Sequence, residues 1–222
     1  MKQYSTIEEE QEVGLRFAFR PGARSNSPVV LLIHGRAGNR DVMWAFQRTI
    51  PTDCAIVSFE AFNADRIGGY SWWDVSQLGN VHQGILLAGE RLAAAWKRFR
   101  ARNELSPSKV LAIGFSQGAI LISASAFLGQ CAFDGIGLLA GFPYLVDDEF
   151  HPTKIPTVFM ANGTEDKTIT IDRAREARMR LAKHGVIPEY LEEPVGHKLG
   201  VQGMKALKGW VSSTLDHIEE SV

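Results

Sequence analysis

The sequence predicts an α/β fold, a mostly parallel central sheet with helices on both faces. Two observations carry this. After residue 28, short apolar runs alternate with stretches of helical periodicity, which is the element order of a doubly wound sheet. The runs are apolar at nearly every position rather than at every second one, as strands covered on both faces require.

In chain order, Val13 to Phe19 carries apolar residues at odd numbers, broken by Gly14, and reads as an antiparallel edge strand. Val29 to Ile33 and Ala55 to Phe59 are the first buried strands. Val81 to Arg102 places apolar residues at 81, 85, 88, 92, 95, 96 and 99, the stripe of an amphipathic helix. The cations of Lys97 to Arg102 suit the negative end of that helix better than a membrane surface. Val110 to Ile113 is the next strand, and Ala119 to Ala124 continues as a helix. Gly135 to Ala140 and Thr157 to Ala161 are further buried strands, and Pro188 to Leu191 is a weaker one. Ile171 to His184 is a helix stopped by Gly185, and a last helix runs from Gln202 into Ile218. The expected organisation is one domain over residues 1–222. Only Gly141 to Pro156 separates two of the strands, too short a segment for a lid domain.

Bulk properties narrow the function classes. Apolar residues make up 45% of the chain, charged residues 22%, and the net charge is −1; this gives no basis for a nucleic-acid partner. Cys54 and Cys131 lie far apart and have no metal-ligand spacing, so two free thiols in a reducing compartment are expected. The first dozen residues hold four glutamates and no apolar run, unlike a signal peptide. No stretch reaches the roughly 18 apolar residues of a membrane span. The expectation is a cytoplasmic protein without stable membrane association; a homodimer stays open.

The chemistry is concentrated in Gly114-Phe115-Ser116-Gln117-Gly118, between a strand and a helix. In that context a G-x-S-x-G segment is a nucleophile elbow. The glycines let a sharp turn pass other backbone, and the turn exposes the serine hydroxyl. It also aims the N–H of Gln117 at an oxyanion formed there. The bland alternative is a tight turn in which Ser116 only caps the helix.

A serine nucleophile needs a base and an acid that orients it, in chain order Ser, Asp or Glu, His. Asp166 follows the strand Thr157 to Ala161 directly, with Glu165 as its neighbouring rival. Asp134 stands at the wrong strand end, Asp147 and Asp148 lie in a polar connection, and Asp172 suits a first helical turn. Among the histidines after Asp166, His184 ends a helix and His217 falls in the terminal helix. His197 stands in the loop Pro194 to Lys198, where strand ends converge. The strand leading into His34-Gly35-Arg36-Ala37-Gly38 runs into a glycine-rich turn that resembles the His-Gly loop of α/β-hydrolases, and that resemblance implies the N–H of Arg36 as a second oxyanion donor. His34 precedes the serine and reads as a structural histidine holding that loop.

Taken together, the His34-Gly35 loop, Ser71-Trp72-Trp73-Asp74, Gly114 to Gly118, Gly163 to Ile169 and His197 resemble the phospholipase/carboxylesterase branch of the α/β-hydrolases, which includes acyl-protein thioesterases. The resemblance spans residues 28–215. It implies Ser116 as nucleophile, Asp166 as orienter, His197 as base and acid, and Arg36 and Gln117 as backbone oxyanion donors, with no metal or cofactor. Two departures bear on the substrate. Arg36-Ala37-Gly38 replaces the small or apolar residue and Gly-Asp usual after His-Gly, and Asp166-Lys167 replaces Asp-Pro. The Arg36 guanidinium is placed to attract an anion or crowd a long acyl chain. Trp72 and Trp73 are pocket candidates, although adjacent aromatics more often pack a core. The expected activity is hydrolysis of small carboxylic esters of short to medium acyl length in an open, shallow site. That site would be walled by Gly141 to Pro156 and Gly68 to Trp73. Thioesterase or lysophospholipase activity is the alternative, and a non-catalytic binding module on the same fold is the rival of another class.

Overall fold

The computed structural model describes residues 1–76 and 78–216. The chain opens with β1 (Gln3–Tyr4) and a short helix, α1 (Ile7–Val13). Thr6 starts that helix: its Oγ1 accepts the Glu9 N–H at 3.3 Å, and the Glu9 carboxylate accepts the Thr6 N–H at 2.7 Å. Gly14, at φ 87°, stops it. The edge strand expected over Val13 to Phe19 is therefore corrected. Val13 ends α1, and the strand β2 is Phe17–Arg20. The alternation of Val13 and Leu15 arose because a helix end and a link both bury their side chains. Nor is β2 the edge, since β1 pairs outside it.

The parallel sheet follows: β3 (Val29–Ile33), a 3₁₀ helix over Val42–Thr49, β4 (Ala55–Phe59), and a small hairpin of β5 (Asn63–Ala64) and β6 (Tyr70–Ser71). Then come α2 (Val81–Arg102), β7 (Val110–Phe115), α3 (Gln117–Phe127), β8 (Gly135–Leu139), β9 (Thr157–Gly163), α4 (Ile171–Lys183), β10 (Glu189–Glu193) and α5 (Val201–Asp216). The main sheet has the order β1-β2-β4-β3-β7-β8-β9-β10. In it β2 pairs antiparallel with both β1 and β4, and the six strands from β4 to β10 in that order pair parallel.

Alternation along β3 divides the core. Val29, Leu31 and Ile33 face one layer with Ile85, Leu92 and Phe99 of α2 and Leu121 of α3. Val30 and Leu32 face the other, with Met43 and Trp44 of the 3₁₀ helix and Leu207, Trp210 and Val211 of α5. All five side chains of β3 are fully buried, which is why its sequence shows no polar alternation.

The strands β7, β9 and β10 run two residues or more past their expected ends, to Phe115, Gly163 and Glu193. These added residues deliver the chain to the candidate site. Between β8 and β9, residues 141–156 form a connection with one 3₁₀ turn, Asp147–Glu149. The last helix was expected to reach Ile218; Ile218 and His217 lie outside the described residues.

Candidate active site

The C-terminal ends of β3, β7, β9 and β10 carry four loops to one side of the sheet. At the end of β7, Ser116 has φ 52° and ψ −113°, a conformation that costs a non-glycine residue about 1–3 kcal/mol. Its N–H donates to the Leu139 carbonyl at 2.8 Å, and α3 begins at the next residue. Close packing enforces the turn. A Cβ on Gly114 would lie 2.4 Å from the Gly118 carbonyl oxygen. One on Gly118 would lie 2.2 Å from that of Ile33. The glycines thus seat the start of α3 against the end of β3.

Asp166 is buried, and Glu165 beside it is exposed. Asp166 Oδ1 accepts the N–H groups of Thr168 and Ile169 at 2.7 and 3.0 Å, which fixes the carboxylate in its turn. Its Oδ2 lies 2.6 Å from His197 Nδ1. A carboxylate held this way accepts from Nδ1–H and leaves Nε2 as the basic nitrogen. The His197 ring packs edge-on against Phe115, the residue before Ser116, with centroids 5.1 Å apart. The geometry therefore brings Ser116, Asp166 and His197 into one region. His184 sits elsewhere, stacked on Phe150 at 4.2 Å.

No protein-family model matches the chain. Its sequence is 24% identical over 157 residues to acyl-protein thioesterase 1 of Yarrowia lipolytica (strain CLIB 122 / E 150), covering 65% of this chain and 69% of that protein. In structure it is similar to the Bacillus cereus carboxylesterase, with a TM-score of 0.83 at 17% identity over 94% of this chain and 98% of that one. It is also similar to a carboxylesterase from Mesorhizobium loti, with a TM-score of 0.78 at 17% identity over 95% and 98%. The fold is that of the α/β-hydrolases.

In this fold the loop after β3 lies against the Ser116 turn: a Cβ on Gly35 would stand 3.2 Å from Ser116 Cβ. The backbone N–H groups of Arg36 and Gln117 have no acceptor among the described residues. His34 holds the loop. The Ala61 N–H donates to its Nε2 at 2.9 Å, so the ring proton resides on Nδ1 and is given to the Gly35 carbonyl at 2.7 Å. Burial pushes the His34 pKa from 6.5 down to about 4. Because the folded pKa lies below the ordinary one, the unfolded chain takes up the proton first as pH falls. Stability is fully present above pH 6.5 and drains away towards pH 4, by about 3 kcal/mol from this group. Denaturant unfolding of the wild type and His34→Gln at intervals from pH 7 to 4 should show this part of the slope only in the wild type.

The Arg36 side chain is engaged rather than free, with Nε donating to Asp65 Oδ2 at 2.9 Å. This hydrogen bond, with another from Ser71, holds the Asp65 carboxyl well below its usual range. Trp72 and Trp73 are 0% and 5% exposed and belong to the core. Their backbone is tied to the elbow: the Gln117 side chain accepts the Trp72 N–H and donates to the Trp73 carbonyl, both at 3.0 Å.

A cavity of about 730 Å³ opens between the β5–β6 hairpin and α2, lined among others by Arg36, Ser71, Trp72 and Trp73. Among the described residues, none of those numbered 141–156 lines it, whereas Ser71, Trp72 and Trp73 of the expected Gly68 to Trp73 wall do. Tyr144 instead joins that segment to the helices, with its N–H donating to Ser123 Oγ and its hydroxyl 2.6 Å from His82 Nδ1. Among the described residues no group of three or more His, Cys, Asp or Glu is placed to hold a metal ion. None of their helices is long and apolar enough to cross a membrane.

Glu193 was missed from the sequence. Its backbone carbonyl accepts the N–H groups of Thr164 and Val195 at 2.9 and 2.8 Å, joining the Asp166 and His197 loops. Its buried carboxylate accepts those of Gln202 and Gly203 at 3.0 and 3.1 Å, at the start of α5. Glu193→Gln turns an amide donor towards those donors. It should cost about 1–3 kcal/mol in urea unfolding and lower kcat more than it raises KM. Its legible trace was the last of three glutamates in a short strand, a few residues before a glycine-flanked helix start.

Proposed function

We propose that the protein is a serine hydrolase that cleaves carboxylic esters through an acyl-enzyme intermediate. The observation that carries this reading is the 2.6 Å contact of buried Asp166 with His197 Nδ1 beside the strained Ser116 turn. His197 Nε2 takes the proton of Ser116 as Oγ attacks the acyl carbonyl. The oxyanion is received by the N–H groups of Arg36 and Gln117, which act without reorganising. His197 then protonates the leaving alcohol, and water repeats the sequence on the acyl-enzyme.

The substrate is a small ester of short to medium acyl length. Residues 141–156 are a short connection rather than a covering domain, and Trp72 and Trp73 are almost entirely consumed by the core. Little apolar wall remains to bind a long chain at roughly 0.8 kcal/mol per buried methylene. The Yarrowia lipolytica protein is named as an acyl-protein thioesterase, which keeps acyl thioesters as the second reading. A cytoplasmic site of action fits Cys54 and Cys131, both unpaired and buried, with thiol pKa values pushed up to about 11 and about 12.

The test pairs fluorophosphonate labelling with a panel of esters of graded acyl length and one thioester. Labelling at Ser116 and fastest turnover of short to medium esters are expected. Absence of labelling would leave a binding module. A rate jump at the micellar concentration, or an optimum at long chains, would overturn the substrate assignment.

A further inference from the structure

The cavity reaches the loop after β3 at Arg36 and, through Trp72 and Trp73, the residues bonded to the Gln117 side chain, while Ser116 and His197 are not in its lining. On the hydrolase reading it lies beside the oxyanion loop, and one half of an ester at Ser116 is directed towards it. Three arginines and two aspartates line it. The aspartates are occupied. Asp65 accepts from Arg36, from the Ile67 N–H at 3.1 Å and from Ser71 Oγ at 2.6 Å, and Asp74 accepts the Ser76 N–H and hydroxyl at 2.8 and 2.7 Å. Arg36 is in turn consumed by Asp65.

Arg66 and Arg91 differ. Among the described residues neither has a carboxylate within ion-pair distance. The Arg91 guanidinium lies over the Phe62 ring, 4.1 Å from its centroid. A guanidinium held over a ring face keeps N–H donors for a planar acceptor such as a carboxylate. The hairpin carrying Arg66 is pinned to the oxyanion loop. The Tyr70 N–H donates to the Gly38 carbonyl at 2.8 Å, and a Cβ on Gly69 would lie 2.2 Å from the Ala37 carbonyl oxygen. The hairpin thus holds the Arg66 backbone at a fixed place beside the loop after β3, and α2 carries Arg91 on the far wall of the cavity.

We infer that this cavity selects esters carrying a second, ionised carboxylate, received by Arg66 and Arg91. The inference rests on the serine-hydrolase reading above. It transfers to these two residues the anion-attracting role that the sequence suggested for Arg36.

The experiment measures kcat/KM for two matched ester pairs at low and high salt. In the first, p-nitrophenyl hemisuccinate against p-nitrophenyl butyrate, the carboxylate is on the acyl half. In the second, 4-acetoxybenzoate against 4-acetoxybenzamide, it is on the alcohol half. The enzymes are the wild type and Arg66→Gln/Arg91→Gln. The wild type should prefer the anionic member of one pair by about tenfold at low salt, the scale of two exposed charge pairs. That ratio should shrink as salt screens the charges and fall to near unity in the double variant. The pair that responds tells which half of the ester enters the cavity. Equal rates within both pairs, or a preference that survives in the double variant, would overturn the inference and leave the hydrolase reading intact. A wild type that cleaves none of the four esters and is not labelled by a fluorophosphonate would overturn both.

Discussion

His197→Ala and Ser116→Ala are each expected to lower kcat by about 10⁴- to 10⁶-fold, the loss found when triad members act as a unit. Asp166→Asn should cost somewhat less, because the imidazole remains but loses the acceptor that fixes its tautomer. The double variant Ser116→Ala/His197→Ala should be hardly worse than either single one. Steady-state kinetics on a short-chain ester checks all four. Near-normal turnover by His197→Ala would overturn the assignment of the base. An innocuous Asp166→Asn beside a damaging Glu165→Gln would move the acid one residue. The structure favours Asp166, whose side chain is 0% exposed and held by two backbone donors.

Much of this was legible because the strongest signals were local. The stretch Val81 to Arg102 has the bounds of α2, and every residue of its stripe but the half-buried Val81 is buried, since an amphipathic helix writes its buried face into the sequence at a fixed period. The elbow was legible through Gly114 and Gly118, which have no room for a Cβ. What was not legible depends on packing between distant segments. The strand ends at Phe115, Gly163 and Glu193 are set by pairing with neighbours, and their residues carry no periodicity of their own. The use of Arg36 to hold Asp65, and of the Gln117 side chain to hold Trp72 and Trp73, likewise needs partners 29 to 45 positions away. Helix α1 was a different failure. Thr6-Ile7-Glu8-Glu9 spells a capping box, but the alternation of Val13, Leu15, Phe17 and Phe19 masked the helix end at Gly14.

Gly163→Ala should have the largest effect of any change that leaves the catalytic side chains in place. At the end of β9, a Cβ on Gly163 would lie 2.1 Å from the Val195 carbonyl oxygen and 2.4 Å from that of Gly196, far inside van der Waals contact. These are backbone atoms, so the strain cannot be relieved by turning a side chain. The loop must retreat by about 1 Å, and it carries His197 with it. A misplacement of that size costs about 100-fold in rate, and the overpacking costs about 1–3 kcal/mol of stability. Gly209→Ala is the control: nothing stands within 4 Å of its added Cβ, and alanine in the interior of α5 should stabilise by about 0.5–1 kcal/mol. The decisive measurement is a cycle with Asp166→Asn. If Gly163 acts by seating His197 against Asp166, the loss of that partner already forfeits much of the alignment. The two substitutions together should then cost clearly less than the product of their separate effects. Independent, multiplicative losses in kcat would show that the close approach at Gly163 serves stability alone.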